Sequence, residues 1–264
     1  MTRLGLFALA AALIAVVMAP AVPSNRLRAA EPAAPLKVCV LSGCDTYHSA
    51  KSLPPFIKWL EANYPVRCTL VEKKAVDDLP GLEALDDCDV AFVFIKRMKL
   101  SGDQLARFKK YATSGKPIVA VRTASHAVQT WLEFDKEVLG GNYKSHHPVG
   151  PVTKITVTPL DLQQSTAKTH PVLNGVDLKT ANDSLYKNLG HAADIQVLLE
   201  GTIPDQPTEP LAWTRDYKGG RIFYTSLGAE DTFELPAFRR MLANALFWTA
   251  KRDAPPAAAK GDAR

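Results

Sequence analysis

The residues able to do chemistry in this chain sit in polar clusters, each following an apolar run. Lys37 to Leu41 leads to Asp45, Tyr47 and His48; Val90 to Ile95 leads to Lys96 and Arg97; Ile118 to Val121 stops abruptly at Arg122, Ser125 and His126. A turn-rich stretch from Gly140 to Pro148 adds His146 and His147, and Gly228 to Asp231 follows the last long apolar run. Imidazole has an ordinary pKa near neutrality, so His48, His126 and His147 are the candidate catalytic acids and bases. Arg122 cannot act as a nucleophile, but its planar fork suits it to holding or polarising ligand oxygens. The alternative for Arg122 is a buried ion pair with an acid such as Asp45. Asp45, Tyr47, Arg97, Arg122, Ser125 and His146 form the candidate substrate-binding set, with Tyr47 as a stacking platform or a loop anchor. A zinc or copper site built from His48, His126, His146 and His147 is conceivable. None of the familiar metal-motif spacings occurs, however, so no metal and no cofactor is expected.

These clusters need a rigid frame, and the apolar periodicity supplies one. Strands are expected over Lys37 to Leu41, Cys68 to Val71, Val90 to Ile95 and the run after Pro117, the third apolar on both faces as a covered parallel strand must be. Helices are expected over Leu53 to Tyr64, over Leu79 to Leu85, and from a Ser101/Gln104 capping box to Gly115. Val128, Trp131 and Leu132 then extend an apolar spacing into a helix after the turn at Arg122. Beyond Pro148 come short strands over Ile155 to Thr158, Ile195 to Leu199, Leu211 to Thr214 and Arg221 to Ser226, before a core-facing helix from Pro236 to Trp248. The fold class is α/β, an open, doubly wound, mostly parallel sheet of flavodoxin-like type with antiparallel additions in the C-terminal half. Such sheets bind ligands at the carboxyl ends of their strands, where the polar clusters lie.

The ends read differently from the middle. Arg3, an apolar run from Leu4 to Ala19 and the small residues Ala19-Pro20-Ala21 have the plan of a signal peptide over residues 1–21. A flexible lead-in over 22–35, a single domain over 36–252 and a disordered tail over 253–264 complete the expected layout. The chain is therefore expected to be secreted or periplasmic, with no stable membrane association once the signal is cleaved. The net charge of +5 comes from the ends: residues 1–30 carry three arginines and no acid, and residues 251–264 carry four bases against two acids. The remainder is neutral, which argues against a nucleic-acid partner. Cys39, Cys44, Cys68 and Cys88 in an oxidising compartment allow one disulfide, with the pairing open and buried thiols the alternative.

The segment Ala212-Trp213-Thr214-Arg215, Gly220 to Gly228, Pro236-Ala237-Phe238 and Asn244-Ala245 resembles the ThuA-like (trehalose utilisation) family. Gly43…Tyr47-His48, Gly140-Gly141…His147 and His170-Pro171 are similar to family motifs as well. The resemblance implies a class I glutamine amidotransferase-like fold and a role in carbohydrate metabolism. Amidotransferases carry a cysteine in the turn after the Pro117 strand, where relatives often carry histidine; this chain has Arg122. Relatives often have Gly-His after the last strand, and this chain has Gly228-Ala229. A covalent cysteine mechanism is therefore not expected, nor is glutamine hydrolysis. The expected function is acid–base chemistry on a sugar or oxidised (keto) sugar, as an isomerase, lyase or hydrolase. The alternative is a non-catalytic sugar-binding or interaction module on the same fold. A small-molecule sugar is the expected partner, and a homo-oligomer is left open.

Overall fold

The computed structural model describes residues 34–148, 153–160 and 170–256. The expected signal peptide, residues 22–33 of the lead-in and the tail from 257 onward lie outside the described residues. The N-terminal half runs β1 (Leu36–Gly43), α1 (Ser49–Asn63), β2 (Val66–Glu72), α2 (Ala84–Asp87), β3 (Val90–Ile95), α3 (Gly102–Ala112) and β4 (Ile118–Val121). Alternate strand residues face opposite layers. Val38, Val40, Phe92, Phe94, Val119 and Val121 pack with Phe56 and Leu60 of α1, whereas Cys39, Leu41, Ala91, Val93, Ile118 and Ala120 pack with Phe108 and Tyr111 of α3. All six residues of β3 are buried. Burying each large apolar side chain there contributes roughly 1.5–3 kcal/mol.

The C-terminal half adds β5 (Tyr143–His146), β6 (Thr153–Pro159), β7 (Thr180–Asp183), β8 (Tyr186–Asn188), β9 (Ile195–Thr202), β10 (Glu209–Tyr217), β11 (Gly220–Thr225) and α4 (Pro236–Thr249). Among the described residues nine strands form one sheet in the order β2-β1-β3-β4-β11-β10-β9-β6-β7. It is parallel from β2 to β11 and continues antiparallel from β10 to β7. The stripe on α4, including Phe238, Met241, Leu242, Ala245 and Leu246, is core. The direction of winding reverses beside β1, whose neighbours are β2 and β3, so a crevice is expected outside the carboxyl ends of β1 and β3.

Several local expectations are corrected. Helix α1 begins at Ser49, placing Pro54 and Pro55 inside it; the Ser49 hydroxyl, which accepts from the Cys44 N–H at 2.9 Å and bonds the Ser42 hydroxyl, anchors this earlier start. Pro80 and Gly81, the latter at φ 91°, hold the second helix back to Ala84. Ser101 precedes α3 without a side-chain cap, because the Gln104 side chain instead accepts from the Leu79 N–H and donates to Asp78. After β4 the chain makes a 3-10 turn at Arg122–His126 and a π-turn at Phe134–Leu139, with Leu132 47% exposed between them. The Gly140 to Pro148 stretch contains β5, which pairs with β8 in a separate two-stranded ribbon. All four cysteines are free thiols, Cys39 and Cys44 buried. Among the described residues no helix is long and apolar enough to cross a membrane.

Candidate functional site

Three strand ends converge on one rim, and each turns through a left-handed residue that is not glycine. His48 follows β1 at φ 50°, Arg97 follows β3 at φ 47° and Arg122 follows β4 at φ 50°. This conformation costs an L-residue roughly 1–2 kcal/mol, a cost glycine would avoid, so a retained side chain at such a position points to a use for it. Neighbouring backbone holds each in place. The His48 N–H bonds the Asp45 carbonyl at 3.2 Å, the Arg97 N–H bonds the His126 carbonyl at 2.8 Å, and the Arg122 carbonyl accepts from the Tyr224 hydroxyl at 2.8 Å.

Arg122 stands in the turn where many α/β hydrolases hold a nucleophile, and it is fully enclosed at 0% exposure. Its Nη1 reaches Asp183 Oδ1 at 2.8 Å, the Ser226 carbonyl at 2.6 Å and the Ser184 carbonyl at 3.2 Å. Tyr47 and Tyr186 cover the guanidinium, their ring centroids 4.1 and 4.5 Å from Cζ. Among the described residues Nε and Nη2 have no hydrogen-bond acceptor, and the two rings are their chief company. Burial opposes the charge, but Asp183 and the surrounding tyrosines hold the Arg122 pKa above its ordinary value. Asp183, also at 0% exposure, accepts from the Gly228 and Ala229 N–H groups and from the Thr232 hydroxyl. All of its partners are donors, which calls for the carboxylate form even though burial pushes its pKa up. Asp45 instead pairs with Lys73 at the surface. Arg122 thus locks the ends of β4, β7 and β11 together, and it does not present its guanidinium to a cavity.

Two pockets open around this lock. The larger, about 800 Å³, is lined by Tyr47, His48, His146, Ser184, Glu230 and Asp231 among others. At its edge His48 Nδ1 lies 2.7 Å from Glu230 Oε2, both side chains about half exposed. A carboxylate on Nδ1 fixes the imidazole's orientation and tautomer and leaves Nε2 for proton transfer. Lys96 reinforces the loop by donating to the Thr46 hydroxyl at 2.7 Å.

The smaller pocket, about 270 Å³, is lined by Arg97, Ser125, His126, Asp135, Tyr143 and Lys144 among others. His126 is 6% exposed, hydrogen-bonded to the Ser125 hydroxyl at 3.0 Å and stacked on Tyr143 with centroids 4.5 Å apart. Burial, helped by the charges of Arg97, Lys96 and Arg122, pushes its pKa down to about 3, so its imidazole is neutral at physiological pH. Asp135, 4% exposed, accepts from the Tyr143 N–H at 2.7 Å through Oδ2, while Oδ1 has no partner among the described residues. Burial raises its pKa to about 7. The backbone at Gly141 approaches this carboxyl so closely that a Cβ there would lie 2.4 Å from Oδ1.

The candidate residues are therefore divided between locations. His48, His146 and Tyr47 line the larger pocket, and Arg97, Ser125 and His126 the smaller. His147 lines neither: at 2% exposure its Nδ1 and Nε2 bond Gln206 at 2.8 Å and Glu209 at 3.0 Å. Adjacent residues in extended backbone point to opposite sides, and that separates His147 from His146. The four histidines considered for a metal do not converge, and among the described residues no group of three or more His, Cys, Asp or Glu side chains is placed to hold one. Sequence reasoning missed Asp135, Asp183 and Glu230. Only Glu230 had a usable signal, its place directly after the last long strand.

An open, mostly parallel α/β sheet, a tight turn after β4 and ligand-sized pockets at the carboxyl ends define a doubly wound α/β protein with a guanidinium in the turn after β4. The chain belongs to the ThuA family, associated with trehalose utilisation, whose family model matches residues 37–249. Among solved structures it is similar to a ThuA-like protein from Parabacteroides merdae (19% identity, TM-score 0.64, covering 86% of this chain and 94% of that one). A ThuA-like protein from Bacteroides uniformis aligns almost as well (18% identity, TM-score 0.63, covering 86% and 96%). A cold-adapted β-galactosidase from Rahnella sp. R3 shares the fold over 84% of this chain and 32% of its own (12% identity, TM-score 0.54). No curated protein matches the chain.

Proposed function

We propose that this protein is exported and acts on a sugar or an oxidised (keto) sugar by acid–base chemistry, with no covalent cysteine nucleophile and no glutamine amidotransferase activity. The observation that carries the reading is the 2.7 Å His48–Glu230 pair at the edge of the larger pocket. His48 is the proton-transfer group and Glu230 its positioning carboxylate; a well-placed general acid or base accelerates a reaction about 10²–10⁴-fold. Tyr47 offers an aromatic face to a sugar ring, and Ser184, His146 and Asp231 offer polar partners for its hydroxyls. The sugar class follows the family's role in trehalose utilisation. Export follows the signal-like plan of residues 1–21.

The test is a thermal-shift screen of sugars and keto-sugars, with product analysis on every ligand that raises the melting temperature. Conversion of a sugar by wild type but not by folded His48→Asn or Glu230→Gln protein supports the reading. A sugar that binds and comes back unchanged from wild type replaces it with the sugar-binding module.

A further inference from the structure

We propose that Cys39 and Cys88 form a redox pair, a modification site at which an oxidant of the disulfide class joins the two sulfurs and ties β1 to the start of β3. The proposal does not rest on the reading of the larger pocket. Its first support is the sheet, which sorts the four cysteines. Cys39 lies in β1 and packs in the layer shared with α3, and Cys88, the residue that closes α2, packs against the same layer. Cys44 and Cys68 belong to the layer on the other side. Cys68 stands beside Val38 in register, one residue from Cys39 and therefore on the opposite face. Cys44 and Cys68 share a layer but not a neighbourhood: Cys44 follows Gly43, and β1 from Val38 to Gly43 already covers roughly 16 Å at about 3.3 Å per residue. Two cysteines can be bridged only where their Cα atoms lie within about 7 Å. Cys39 and Cys88 are the pair the fold brings together, and their thiols share a hydrogen bond.

The second support is the unequal setting of the two thiols. Cys39 is fully enclosed at 0% exposure, and its hydrogen bond to Cys88, with burial, pushes its pKa up. Cys88 is only partly buried. The Cys39 thiol, aided by the Tyr111 hydroxyl and the Lys116 charge, brings the Cys88 pKa down to about 7 against the effect of burial, so the thiolate is available near neutrality. A cavity of about 550 Å³ lined by Leu85, Tyr111 and Lys116 among others opens beside these neighbours of Cys88 and gives an oxidant its approach. The Cys88 thiolate attacks one sulfur of the oxidant's disulfide, whose S–S bond breaks and releases one thiolate. That thiolate takes the proton of Cys39, and the Cys39 sulfur then attacks Cys88 and expels the second thiolate, which takes from solvent the proton that Cys88 had given up. Two protein thiols are oxidised and one disulfide is reduced to two thiols.

The experiment reduces the whole protein, removes the reductant, treats it with oxidised glutathione and counts free thiols before and after. The count is expected to fall from the four of the reduced chain to two, with peptide mapping placing the link between Cys39 and Cys88. Cys39→Ala leaves Cys88 nothing to close onto, and is expected to stop with one glutathione bound at Cys88. Cys88→Ala is expected to form no link and to leave Cys39 unmodified. Thermal melts confirm that both variants are folded. A Cys44→Ala/Cys68→Ala double variant is expected to form the link as wild type does, which tests the pairing without touching either sulfur. The proposal is overturned by four thiols still free after treatment, by glutathione left on Cys88 of wild type with Cys39 free, or by a link that includes Cys44 or Cys68. A link that forms only in urea also overturns it, since the folded chain would then not bring the two sulfurs together.

Discussion

His48 and His126 are the same side chain placed beyond the ends of β1 and β4, with β3 between them, yet the fold gives them opposite surroundings. His48 is half exposed, with a carboxylate at 2.7 Å. His126 is 6% exposed beneath Arg97, Lys96 and Arg122, and its pKa falls to about 3. In the second setting burial also raises the Asp135 carboxyl, to about 7. Burial and neighbouring charge therefore decide which group can move a proton at physiological pH, and residue type alone does not. Between the pockets stand Tyr143 and Tyr186, centroids 4.5 Å apart, with Tyr186 also covering Arg122. The comparison accordingly has a third member, the lock on which both pockets are built.

Breaking that lock should have the largest effect. Arg122→Ala leaves Asp183 buried without its cation, a change that costs about 3–5 kcal/mol in comparable settings. Urea denaturation should show this as a lower midpoint, with catalysis and binding falling together as the rim loosens. Arg122→Ala protein that keeps wild-type stability while losing turnover of a sugar would return Arg122 to the role of a direct ligand group.

The smaller pocket should reveal itself through pH. The Asp135 pKa rises from 3.8 in the free side chain to about 7 in the fold. Below the lower value both states are protonated and burial costs nothing. Between the two values the unfolded chain gives up its proton while the fold retains it, so stability falls as pH rises and the loss is complete above about 7. The full difference corresponds to roughly 4 kcal/mol as an upper figure. Asp135→Asn should therefore gain stability over wild type between pH 4 and pH 8, a difference read from urea midpoints at the two pH values. A constant gap between the two proteins would mean that Asp135 is ionised throughout and that the contrast between the pockets is wrong.

The larger pocket should respond in rate and not in stability. His48→Asn and Glu230→Gln remove a pair that is half exposed on both sides, and exposed pairs contribute about 0–1 kcal/mol. On the proposed function, sugar turnover should fall at least hundredfold, about 3 kcal/mol in the barrier. Equal turnover in wild type and Glu230→Gln would remove Glu230 from its positioning role.

Much of the frame was legible in the sequence because parallel strands covered on both sides read as short apolar runs. Val90 to Ile95 matches β3 exactly at both ends, and the α4 stripe packs as its spacing requires. The site was legible only in part. Asp183 lies far from Arg122 along the chain, between two short strands, and nothing local separates it from an ordinary turn aspartate. Asp135 owes its raised pKa to layers that close over it only in the fold. His147 stood beside His146 in a loop-like stretch, and only the extended geometry around β5 sends it inward to Gln206 and Glu209. The left-handed turns at His48, Arg97 and Arg122 left no composition signal either, because the residue such a turn usually recruits, glycine, is not there.

That missing glycine gives the smallest and most discriminating prediction. His48→Gly relieves a left-handed backbone cost of roughly 1–2 kcal/mol and gives up an exposed ion pair contributing about 0–1 kcal/mol. Some of the gain is offset by the extra entropy of glycine in the unfolded chain. The variant should be as stable as wild type or up to about 1 kcal/mol more so by urea denaturation, while losing turnover as fully as His48→Asn does. Greater stability with less activity is the signature of backbone strain kept for the sake of the side chain it carries. A clear loss of stability in His48→Gly would show instead that the imidazole holds the β1 loop together, leaving Asp135 as the stronger candidate for proton transfer in this molecule.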